Sequence, residues 1–561
     1  MTPYRVGIDL GTTNTVCAVI AEGDSEPTVI KLTHQDKDFT VSGRSRDNLL
    51  PSAVCVGEDG RVYVGEIART LQRFAHAETF VSTKRHMGTD WRRSINGYEW
   101  TPEKVAGCIL KLVRQELRTR FFRDPEVVVI TVPASFGPEA RRSTLRAAKL
   151  AGFSSERVLL FDEPTAALLD ALLSDRTYHV SERESTHMVV DIGGGTLDVS
   201  LLKMRADKQR LLFDVVGRSR FNELAGDDFD LSIAGLLLHR WEQHFNVSFS
   251  DYDNERRASK EQKSLCGTLL GHARTLKSAL AQQMNERHRR EWPQLREQVL
   301  PFETPAGTWS YEFTGQDLLV ALLEYFKDVR DVDERTEEFS FFRAIYQCLK
   351  SASEILRHPI EVEDLDQVWL AGGSSQLPVV QEAIQRMTHN RPRLIPNCME
   401  AIARGAARYA RIMTSEDIQI TERMFDGIYL QSSDQRFLCL VAPQDKTPTE
   451  FSYPNLLRLP VAGNRLIVNT FSGHTVEVSS GHSMLTLPNL TPLAQRSVKF
   501  PVILPAGQAV SVRGQVSRNR DIELEFIAHY KGEDVVGRVA IIISDDQEDF
   551  DDEFGDLPDL N

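Results

Sequence analysis

Two patterns of hydrophobic and polar positions divide the chain. Over residues 1–412, short apolar runs rich in β-branched residues alternate with longer segments whose apolar residues recur at helical spacing. The segments 103–122 and 138–151 have this helical spacing, and the run 127–132 between them predicts a strand. Alternating strands and helices predict an α/β domain, and a last helical segment at 400–410 closes it.

From residue 426 to residue 544 the pattern changes to short alternating runs separated by Pro, Gly and Asn. A period of two is typical of half-buried strands, so we expect a small antiparallel β-sandwich here. The runs that carry the alternation are 465–471, 497–503, 509–513 and 522–527. Residues 413–425 are then an interdomain linker, and residues 545–561 are expected to be a disordered acidic tail.

Composition narrows the class of protein. The chain has 561 residues, of which 41% are hydrophobic and 26% charged, as in an ordinary soluble protein of several domains. The net charge is −14, and much of it lies in the acidic tail, so nothing indicates nucleic acid as a partner. The seven cysteines form no Cys-x-x-Cys pair, which argues against a zinc site or a disulfide framework.

We also expect no targeting signal and no membrane segment. The chain enters its first predicted strand close to the N-terminus, which leaves no room for a signal peptide. No apolar run approaches the roughly 18–20 residues that a membrane span needs. With unpaired cysteines, this predicts a cytoplasmic protein that has no membrane segment.

A repeated turn carries the strongest chemical signal. Residues 9–13 (Asp-Leu-Gly-Thr-Thr) and 191–196 (Asp-Ile-Gly-Gly-Gly-Thr) each lie between two strand-like runs, so each predicts a β-hairpin. Glycine lets several backbone N–H groups point at one anion, and the aspartate can hold the water shell of a Mg²⁺ ion on that phosphate. A tight hairpin without a ligand is the alternative, and the second matched copy argues against it. Two copies predict two related lobes around one polyphosphate.

These turns closely resemble the phosphate hairpins of the seventy-kilodalton heat-shock (DnaK-type) chaperones, within the actin–hexokinase–chaperone ATPase superfamily. Further segments match that family in order, so the resemblance extends over residues 1–412. It implies a two-lobed actin-like ATPase domain that binds ATP or ADP with Mg²⁺, and with K⁺ in the same metal shell.

The resemblance also assigns roles at the phosphate end of the site. Lys84 matches a lysine that orients the attacking water, and Glu163 matches a glutamate of the active site. Thr196 matches a threonine near the γ-phosphate, and Asp9 and Asp191 match aspartates of the metal shell. These five are the candidate catalytic residues, since phosphoryl transfer needs positive charge and an oriented nucleophile. The candidate nucleotide-binding residues are Gly11, Thr12, Thr13, Asn14, Gly193, Gly194, Gly195, Thr196, Gly226, Lys277, Gly372, Gly373, Ser374 and Gln376.

Each of these assignments has a simpler alternative. A lysine such as Lys84, taken by itself, is usually a surface residue. An acid before proline, as in Glu163-Pro164, is also favoured at any helix start by the helix dipole. The place of each residue in the ordered series of matches favours the functional interpretation.

The coupling segment departs from the family in part. Pro133 and Arg141 match residues that couple the nucleotide site to the substrate domain. Between them, Ser135 stands where the family usually has tyrosine, so the relay is expected to be altered. Asp162 stands where the family commonly has asparagine.

More departures lie at the nucleoside end. Where a helix of the family carries Glu, Lys and Ser, this chain has Arg274, Lys277 and Ala281. Gln376 stands where the family has an arginine that stacks on adenine. The sequence therefore predicts ATP binding with a well preserved phosphate end and a divergent nucleoside end.

The C-terminal region resembles the family less closely. The segment 416–422 has two apolar residues in alternation, which is compatible with a strand added to the ATPase edge or with a simple spacer. The β-region has the position and size of the family's peptide-binding sandwich, without the helical lid that should follow it. In the tail, Phe550, Phe554, Leu557 and Leu560 recur at helical spacing. That spacing is incidental in a solubilising tail, or it marks a motif that folds on a partner.

We therefore expect an ATP-dependent chaperone that binds polypeptide, with a J-domain cochaperone and a nucleotide exchange factor as partners. The main alternative is a nucleotide-gated adaptor for one dedicated protein partner with little ATPase turnover. A small-molecule kinase and an actin-like filament protein share the ATPase fold, but neither needs the appended β-region.

Overall fold

The computed structural model describes residues 2–32, 48–57, 60–72, 78–174, 182–207, 210–219, 224–252, 260–326, 340–413, 418–424, 427–431, 437–442, 445–447, 449–473, 490–517, 519 and 522–541. Within these ranges the chain forms 28 strands and ten α-helices. The predictions for the tail, residues 545–561, and for linker residues 414–417 and 425 lie outside the described residues. No helix in the described ranges is long and apolar enough to cross a membrane.

The helices have the following bounds: α1 Glu66–Leu71, α2 Pro102–Phe121, α3 Pro138–Leu150, α4 Glu163–Ser174, α5 Gly226–Phe245, α6 Lys260–Asn285, α7 Gly315–Leu322, α8 Phe341–Leu356, α9 Pro378–Thr388 and α10 Ala401–Ile412. The first strands are β1 Tyr4–Leu10, β2 Asn14–Ala21, β3 Thr28–Ile30, β4 Leu50–Pro51, β5 Val54–Val56, β6 Val62–Val64, β7 Glu78–Phe80, β8 Arg93–Ile95, β9 Tyr98–Trp100, β10 Val127–Val132 and β11 Val158–Asp162.

The middle strands are β12 Ser185–Ile192, β13 Leu197–Asp207, β14 Arg210–Arg218, β15 Arg296–Thr304, β16 Gly307–Thr314, β17 Gln367–Ala371 and β18 Arg393–Leu394. The last strands are β19 Ile418–Arg423, β20 Gly427–Gln431, β21 Phe437–Val441, β22 Lys446–Thr447, β23 Thr449–Arg458, β24 Gly463–Gly473, β25 Thr491–Leu504, β26 Ala509–Val516, β27 Ile522–Tyr530 and β28 Glu533–Ile541.

Two sheets of the N-terminal region share one strand order. The first sheet runs β11-β10-β1-β2-β3, and the second contains the path β18-β17-β12-β13-β14. In each sheet the central hairpin is antiparallel, β1 with β2 and β12 with β13, and its first strand lies parallel to a later strand. The α/β prediction is confirmed. The like order of the two sheets supports the interpretation of two related lobes.

Helices α4 and α10 pack between the two sheets. One apolar cluster joins Val129 of β10, Val189 of β12 and side chains from both helices. Within it, the rings of Phe161 and Tyr409 stack with their centroids 3.9 Å apart. Strands covered by helices on both faces are almost continuously apolar, which explains why β1 and β12 show no period-two pattern in the sequence.

The C-terminal region contains two four-stranded antiparallel sheets, β21-β20-β24-β25 and β23-β26-β27-β28. Their inward side chains form one apolar core, in which Phe500 and Phe526 are fully buried. The alternation seen in β26 and β27 is the alternation of core-facing and solvent-facing positions.

The linker takes part in the second sheet. Strand β19 pairs in parallel with β14, and its far end pairs antiparallel with β22 at the start of the C-terminal region. Arg423 of β19 forms an ion pair with Asp214 of β14, its Nε donating to Oδ1 at 2.9 Å. The sequence left open whether this segment adds a strand to the ATPase edge or is a simple spacer. In the structure it forms an added strand.

A second contact joins the C-terminal region to the first sheet. The side-chain amide of Asn519 accepts a hydrogen bond from Leu160 N at 3.0 Å and donates one to the Val158 carbonyl at 3.1 Å. Both backbone groups belong to β11, the edge strand of that sheet. The Asn519 side chain therefore forms the kind of backbone hydrogen bonds with the edge strand β11 that a neighbouring strand would form.

Candidate active site

A single cavity of about 960 Å³ brings together nearly all of the candidate residues. Its lining includes Asp9, Gly11, Thr12, Thr13, Asn14, Lys84, Glu163, Asp191, Gly193, Gly194, Thr196, Gly226, Lys277, Gly372, Gly373, Ser374 and Gln376. Gly195 is not among the lining residues, but its backbone lies against Thr12, which is one of them. Pro133 and Arg141 are not among the lining residues, and their coupling role stays a prediction.

The two predicted hairpins face each other across this cavity. A Cβ atom added at Gly194 would lie 1.7 Å from Thr13 Oγ1, and one added at Gly195 would lie 2.1 Å from Thr12 Cγ2. Only glycine allows the two turns to approach this closely. The tips of the hairpins from the two sheets therefore form one continuous surface.

Other segments hold the second hairpin in place. The Gly193 carbonyl accepts a hydrogen bond from Gly226 N at 3.1 Å and another from Ser374 Oγ at 2.8 Å. The Gly194 carbonyl accepts one from Asp227 N at 2.6 Å. Residues that are distant in sequence thus fix the backbone of this turn.

Lys84 and Glu163 line the cavity and form a buried ion pair. Lys84 lies in a 3₁₀ helix, Thr83–His86, and Glu163 is the first residue of α4. The exposed fractions of the two side chains are only 7% and 5%. Such a pair is positioned far more strongly than a surface pair, because leaving either charge alone in the interior would be costly. The ammonium group is therefore held beside the hairpins.

Three carboxyl groups near this pair have raised pKa values. Burial and the neighbouring Glu163 raise the pKa of Asp9 to about 7 and that of Asp198 to about 7. Burial, with Glu163, Asp198 and Asp9, raises the pKa of Asp191 well above its usual range. Crowded, buried carboxylates of this kind favour a proton or a bound cation.

The residues present fit a hydrated Mg²⁺ ion that rests on a phosphate. Asp191 Oδ1 and the hydroxyl groups of Thr12 and Thr13 are buried and have no hydrogen-bond partner among the described residues. All three residues line the cavity. Across the described ranges, no three His, Cys, Asp or Glu side chains come together as a ready metal cage. The metal assignment of Asp9 and Asp191 therefore stays a prediction.

Ser135 connects the first sheet to the carboxylate group. Its hydroxyl donates to Asp198 Oδ1 at 2.8 Å, and its backbone N–H donates to the same oxygen at 3.2 Å. Both bonds favour the ionised carboxylate and lower the pKa of Asp198 against the effect of burial. The small side chain at this position thus has a polar contact of its own.

Residues beside Lys84 connect the segment to the second hairpin. Arg85 Nε donates to the Gly195 carbonyl at 2.7 Å, and its Nη2 lies 2.9 Å from Asp228 Oδ2. Ser82 Oγ donates to Asp227 Oδ2 at 2.9 Å. The segment that carries Lys84 is therefore tied to the opposite side of the cavity at three points.

The nucleoside end consists of charged side chains on α5 and α6. Lys277 donates to the Gly226 carbonyl at 2.9 Å and pairs with Asp230 at 2.5 Å. Arg274 also pairs with Asp230, at 3.2 Å, and lies 3.7 Å from Asp227. Burial, and then the nearby Arg274, lower the pKa of Arg69, which also lines the cavity. Arginine at position 274 thus neutralises acids that the helix α5 places there.

Several residues in and around this site have no clear signal in the sequence. Arg69 and Asp230 line the cavity, and Arg85 donates to the backbone of the second hairpin. Arg218 and Asn519 join separate parts of the fold. The signal for Arg85 was its place directly after Lys84. Arg218 had a weaker signal, a charged residue at the end of the apolar run in β14.

The chain matches the model of a known protein family. The family model described as Hsp70 protein matches residues 5–96, 92–287 and 341–426, which together make up more than half of the chain. Proteins of this family are ATPases that bind nucleotide with Mg²⁺ and act as ATP-dependent chaperones on polypeptide clients, together with cochaperones. The matched segments contain both hairpins, Lys84 and Glu163, and with this geometry around one cavity the chain is a member of the Hsp70 family.

Proposed function

We propose that this chain hydrolyses ATP in the cavity and uses the nucleotide state to control the binding and release of polypeptide by the C-terminal β-sandwich. The observation that carries the proposal is the buried Lys84–Glu163 pair beside two facing glycine-threonine turns. This arrangement supplies backbone donors, hydroxyl donors and one fixed positive charge, which are the groups that phosphoryl transfer needs.

Each side chain has a defined part in the proposed reaction. Thr12, Thr13 and Thr196 hold phosphate oxygens together with the backbone N–H groups of the turns. Lys84 orients the attacking water, and Glu163 keeps the ammonium group in place. Mg²⁺, when bound, would neutralise charge on the phosphates, and Asp9 and Asp191 would hold its water shell.

Two contacts support coupling between the cavity and the β-sandwich. The linker strand β19 is paired with β14 of the second sheet, and Asn519 is paired with β11 of the first sheet. Strand β11 leads directly into Glu163, and Arg141 pairs with Asp162 at the end of that strand. Pro133 follows the neighbouring strand β10. A shift of one sheet relative to the other would therefore change both the pairing of β19 with β14 and the contact of Asn519 with β11.

The same proposal implies further partners and a location. A J-domain cochaperone would stimulate hydrolysis, and a nucleotide exchange factor would release ADP. K⁺ would join Mg²⁺ in the metal shell beside Asp191. The unpaired cysteines are consistent with the cytoplasm, where thiols stay reduced.

The direct test is the dissociation rate of a labelled unfolded polypeptide from the purified protein, in saturating ATP and in ADP. We expect much faster release in ATP than in ADP. The variant Lys84→Ala is the matched control, because it should still show fast release on ATP binding while hydrolysing slowly. Equal release rates in the two nucleotides would contradict the proposed coupling.

The alternative of a nucleotide-gated adaptor has one observation in its favour. The family match ends at residue 426, before β20, so the match does not cover the β-sandwich. If the protein binds ATP but holds no unfolded polypeptide in either nucleotide, the adaptor function is supported. The β-sandwich would then be the place to search for a dedicated folded partner.

A further inference from the structure

Helix α2 carries a groove of about 370 Å³ whose lining is basic, and we call it the basic groove. Three of its lining side chains are lysine or arginine, at positions 111, 114 and 118 of the helix. This spacing of three and four residues places them on one face of α2. The groove is lined by Lys111, Arg114, Gln115, Arg118, Thr119 and Ala151, with no acid in the lining that the described residues form.

This part of α2 is more basic than the helix dipole explains. Residues 111–124 contain five lysine or arginine residues and two acids, Glu116 and Asp124. The dipole favours basic residues in the last turn of a helix, and α2 ends at Phe121. Lys111 and Arg114 lie about two turns or more before that end, so the dipole does not account for them. An excess of positive charge in a groove attracts an anionic ligand.

An exposed aromatic ring stands at the end of this basic stretch. Phe122 follows α2 and is 78% exposed, and its backbone N–H donates to the Arg118 carbonyl at 2.9 Å. The acidic tail has a complementary composition, since residues 545–561 contain nine acids and no lysine or arginine. The tail also has large apolar residues at helical spacing, namely Phe550, Phe554, Leu557 and Leu560. Groove and tail therefore match in charge and in apolar character.

The fold brings the start of the tail to the first sheet. Strand β28 ends at Ile541, which pairs with Ile522 of β27, and Asn519 lies three residues before Ile522. The Asn519 side chain donates to the Val158 carbonyl of β11 at 3.1 Å. The last described residue of the chain is therefore close to the edge of the first sheet.

From that edge, two short contacts lead to the basic groove. Arg157, which directly precedes β11, donates from Nη1 to the Pro125 carbonyl at 3.2 Å. Asp124, the residue before Pro125, accepts a hydrogen bond from Arg114 Nη2 at 3.2 Å. Arg114 itself lines the groove. The point at which the tail begins and the groove thus lie on the same side of the first sheet, beside the start of β11.

We propose that the acidic tail, residues 545–561, binds the basic groove of its own chain and so ties the β-sandwich to the first sheet at a second place. Carboxylates of the tail pair with Lys111, Arg114 and Arg118, and its phenylalanine and leucine side chains pack near Phe122. The proposal does not depend on ATP hydrolysis.

The length of the chain favours the protein's own tail over the tail of a second copy or an acidic segment of a partner. Residues 545–553 follow Ile541 by four to twelve residues. At about 3.3 Å per residue they reach roughly 13–40 Å from it. A segment tethered this closely has an effective concentration in the millimolar range, so weak surface ion pairs are enough to hold it.

The test is photo-cross-linking in the full-length protein. Phe554 is replaced by the photoreactive p-benzoylphenylalanine, the purified protein is irradiated, and mass spectrometry identifies the cross-linked peptides. We expect the main product to join the tail to residues 111–122. In an equal mixture of ¹⁵N-labelled and unlabelled protein, we expect each cross-link to carry one isotope only.

Charge reversal tests whether the groove holds the tail. Lys111→Glu with Arg118→Glu should lower the yield of the cross-link to α2 at least about tenfold, because attractions become repulsions. Arg287→Glu with Arg290→Glu is the matched control, since it changes the net charge equally at exposed positions of another region and should leave the yield unchanged. Adding Asp551→Lys with Asp552→Lys to the groove variant should restore much of the yield.

A second measurement needs no groove variant and so does not depend on its folding. In about 1 M salt, where the screening length falls to about 3 Å, the cross-link to α2 in the protein that carries only the photoreactive residue should largely disappear. Cross-links of mixed isotope would show that the tail of a second copy occupies the groove, and would overturn the proposal. Cross-links mainly to another surface, or an equal loss of yield in the groove and control variants, would overturn it as well.

Discussion

The phosphate end and the nucleoside end of the cavity are organised in different ways. At the phosphate end, Thr12, Thr196 and Lys84 are buried, and two glycine turns touch each other. At the nucleoside end, Arg274 is 43% exposed and serves mainly to balance Asp230 and Asp227. The backbone geometry of the glycine turns defines the phosphate end, whereas partly exposed side chains define the nucleoside end. Substitutions should therefore matter far more for hydrolysis at the phosphate end than for affinity at the nucleoside end.

The largest expected effect comes from Lys84. Lys84→Ala removes the fixed positive charge beside the hairpins and should slow single-turnover ATP hydrolysis by about 10²-fold or more, with nucleotide affinity little changed. Thr196→Ala should have a similar effect. Lys203→Ala, which removes an ion pair with Glu184, is the matched control. Equal rates for the unchanged protein and Lys84→Ala would refute this assignment.

A smaller effect is expected at Ser135. Ser135→Ala removes one of two hydrogen bonds to Asp198, and the backbone bond remains, so we expect about a tenfold lower hydrolysis rate. Ser135→Thr keeps a hydroxyl group and should retain most of the rate. A loss of the same size in both variants would show that the side chain acts by its volume and not by its hydrogen bond.

The raised carboxyl pKa values predict a pH effect on the protein without nucleotide and metal. Asp198 has its pKa raised to about 7, against about 3.9 in an unfolded chain, so the native state prefers the protonated form. Its contribution to stability is present below the unfolded pKa and is lost as the pH rises to about 7. The melting temperature should therefore fall between pH 4 and pH 7.

In Asp198→Asn the melting temperature should decrease less between pH 4 and pH 7, because the amide does not ionise in this range. Asp534→Asn, at an exposed carboxyl group, should leave the fall unchanged. Differential scanning fluorimetry across this pH range compares the three proteins. The same pH slope in all three would contradict the assignment to Asp198.

The smallest effect is expected at Gln376. Gln376→Arg places a cation where the resemblance has one stacked on adenine, and should tighten ADP binding by about two- to fivefold, the size of an exposed cation–π contact. Gln376→Leu has a similar size without the charge and should give no gain. Isothermal titration of ADP measures both. If Gln376→Arg changed ADP affinity by a larger factor than Lys84→Ala changes the hydrolysis rate, the proposed difference between the two ends would be wrong.

The features that the sequence predicted are those that depend on residues close together in the chain. The hairpins of residues 9–13 and 191–196 follow from local glycine, threonine and strand signals, and the structure places both on one cavity. Strand β10 has the predicted bounds for the same reason. The alternation in β26 and β27 likewise predicted half-buried strands but could not give their order in the sheets.

Contacts between distant residues could not be predicted in this way. Asn519 lies 359 positions from Leu160, and no pattern near either residue signals the pairing. The triad of Arg141, Asp162 and Arg218 joins three elements whose proximity only the folded chain establishes. The departure at Asp162 was visible in the sequence, but its meaning depended on the partner that the structure places beside it.

The amide of Asn519 also gives the molecule a built-in reporter. Leu160 N donates to that side chain, and among the described residues no strand pairs with the outer side of β11, which has β10 on its other side. Separation of the β-sandwich from the first sheet would leave this N–H unpaired at an open edge. The hydrogen–deuterium exchange rate of Leu160 therefore measures how often the two regions part, whatever nucleotide or partner drives them.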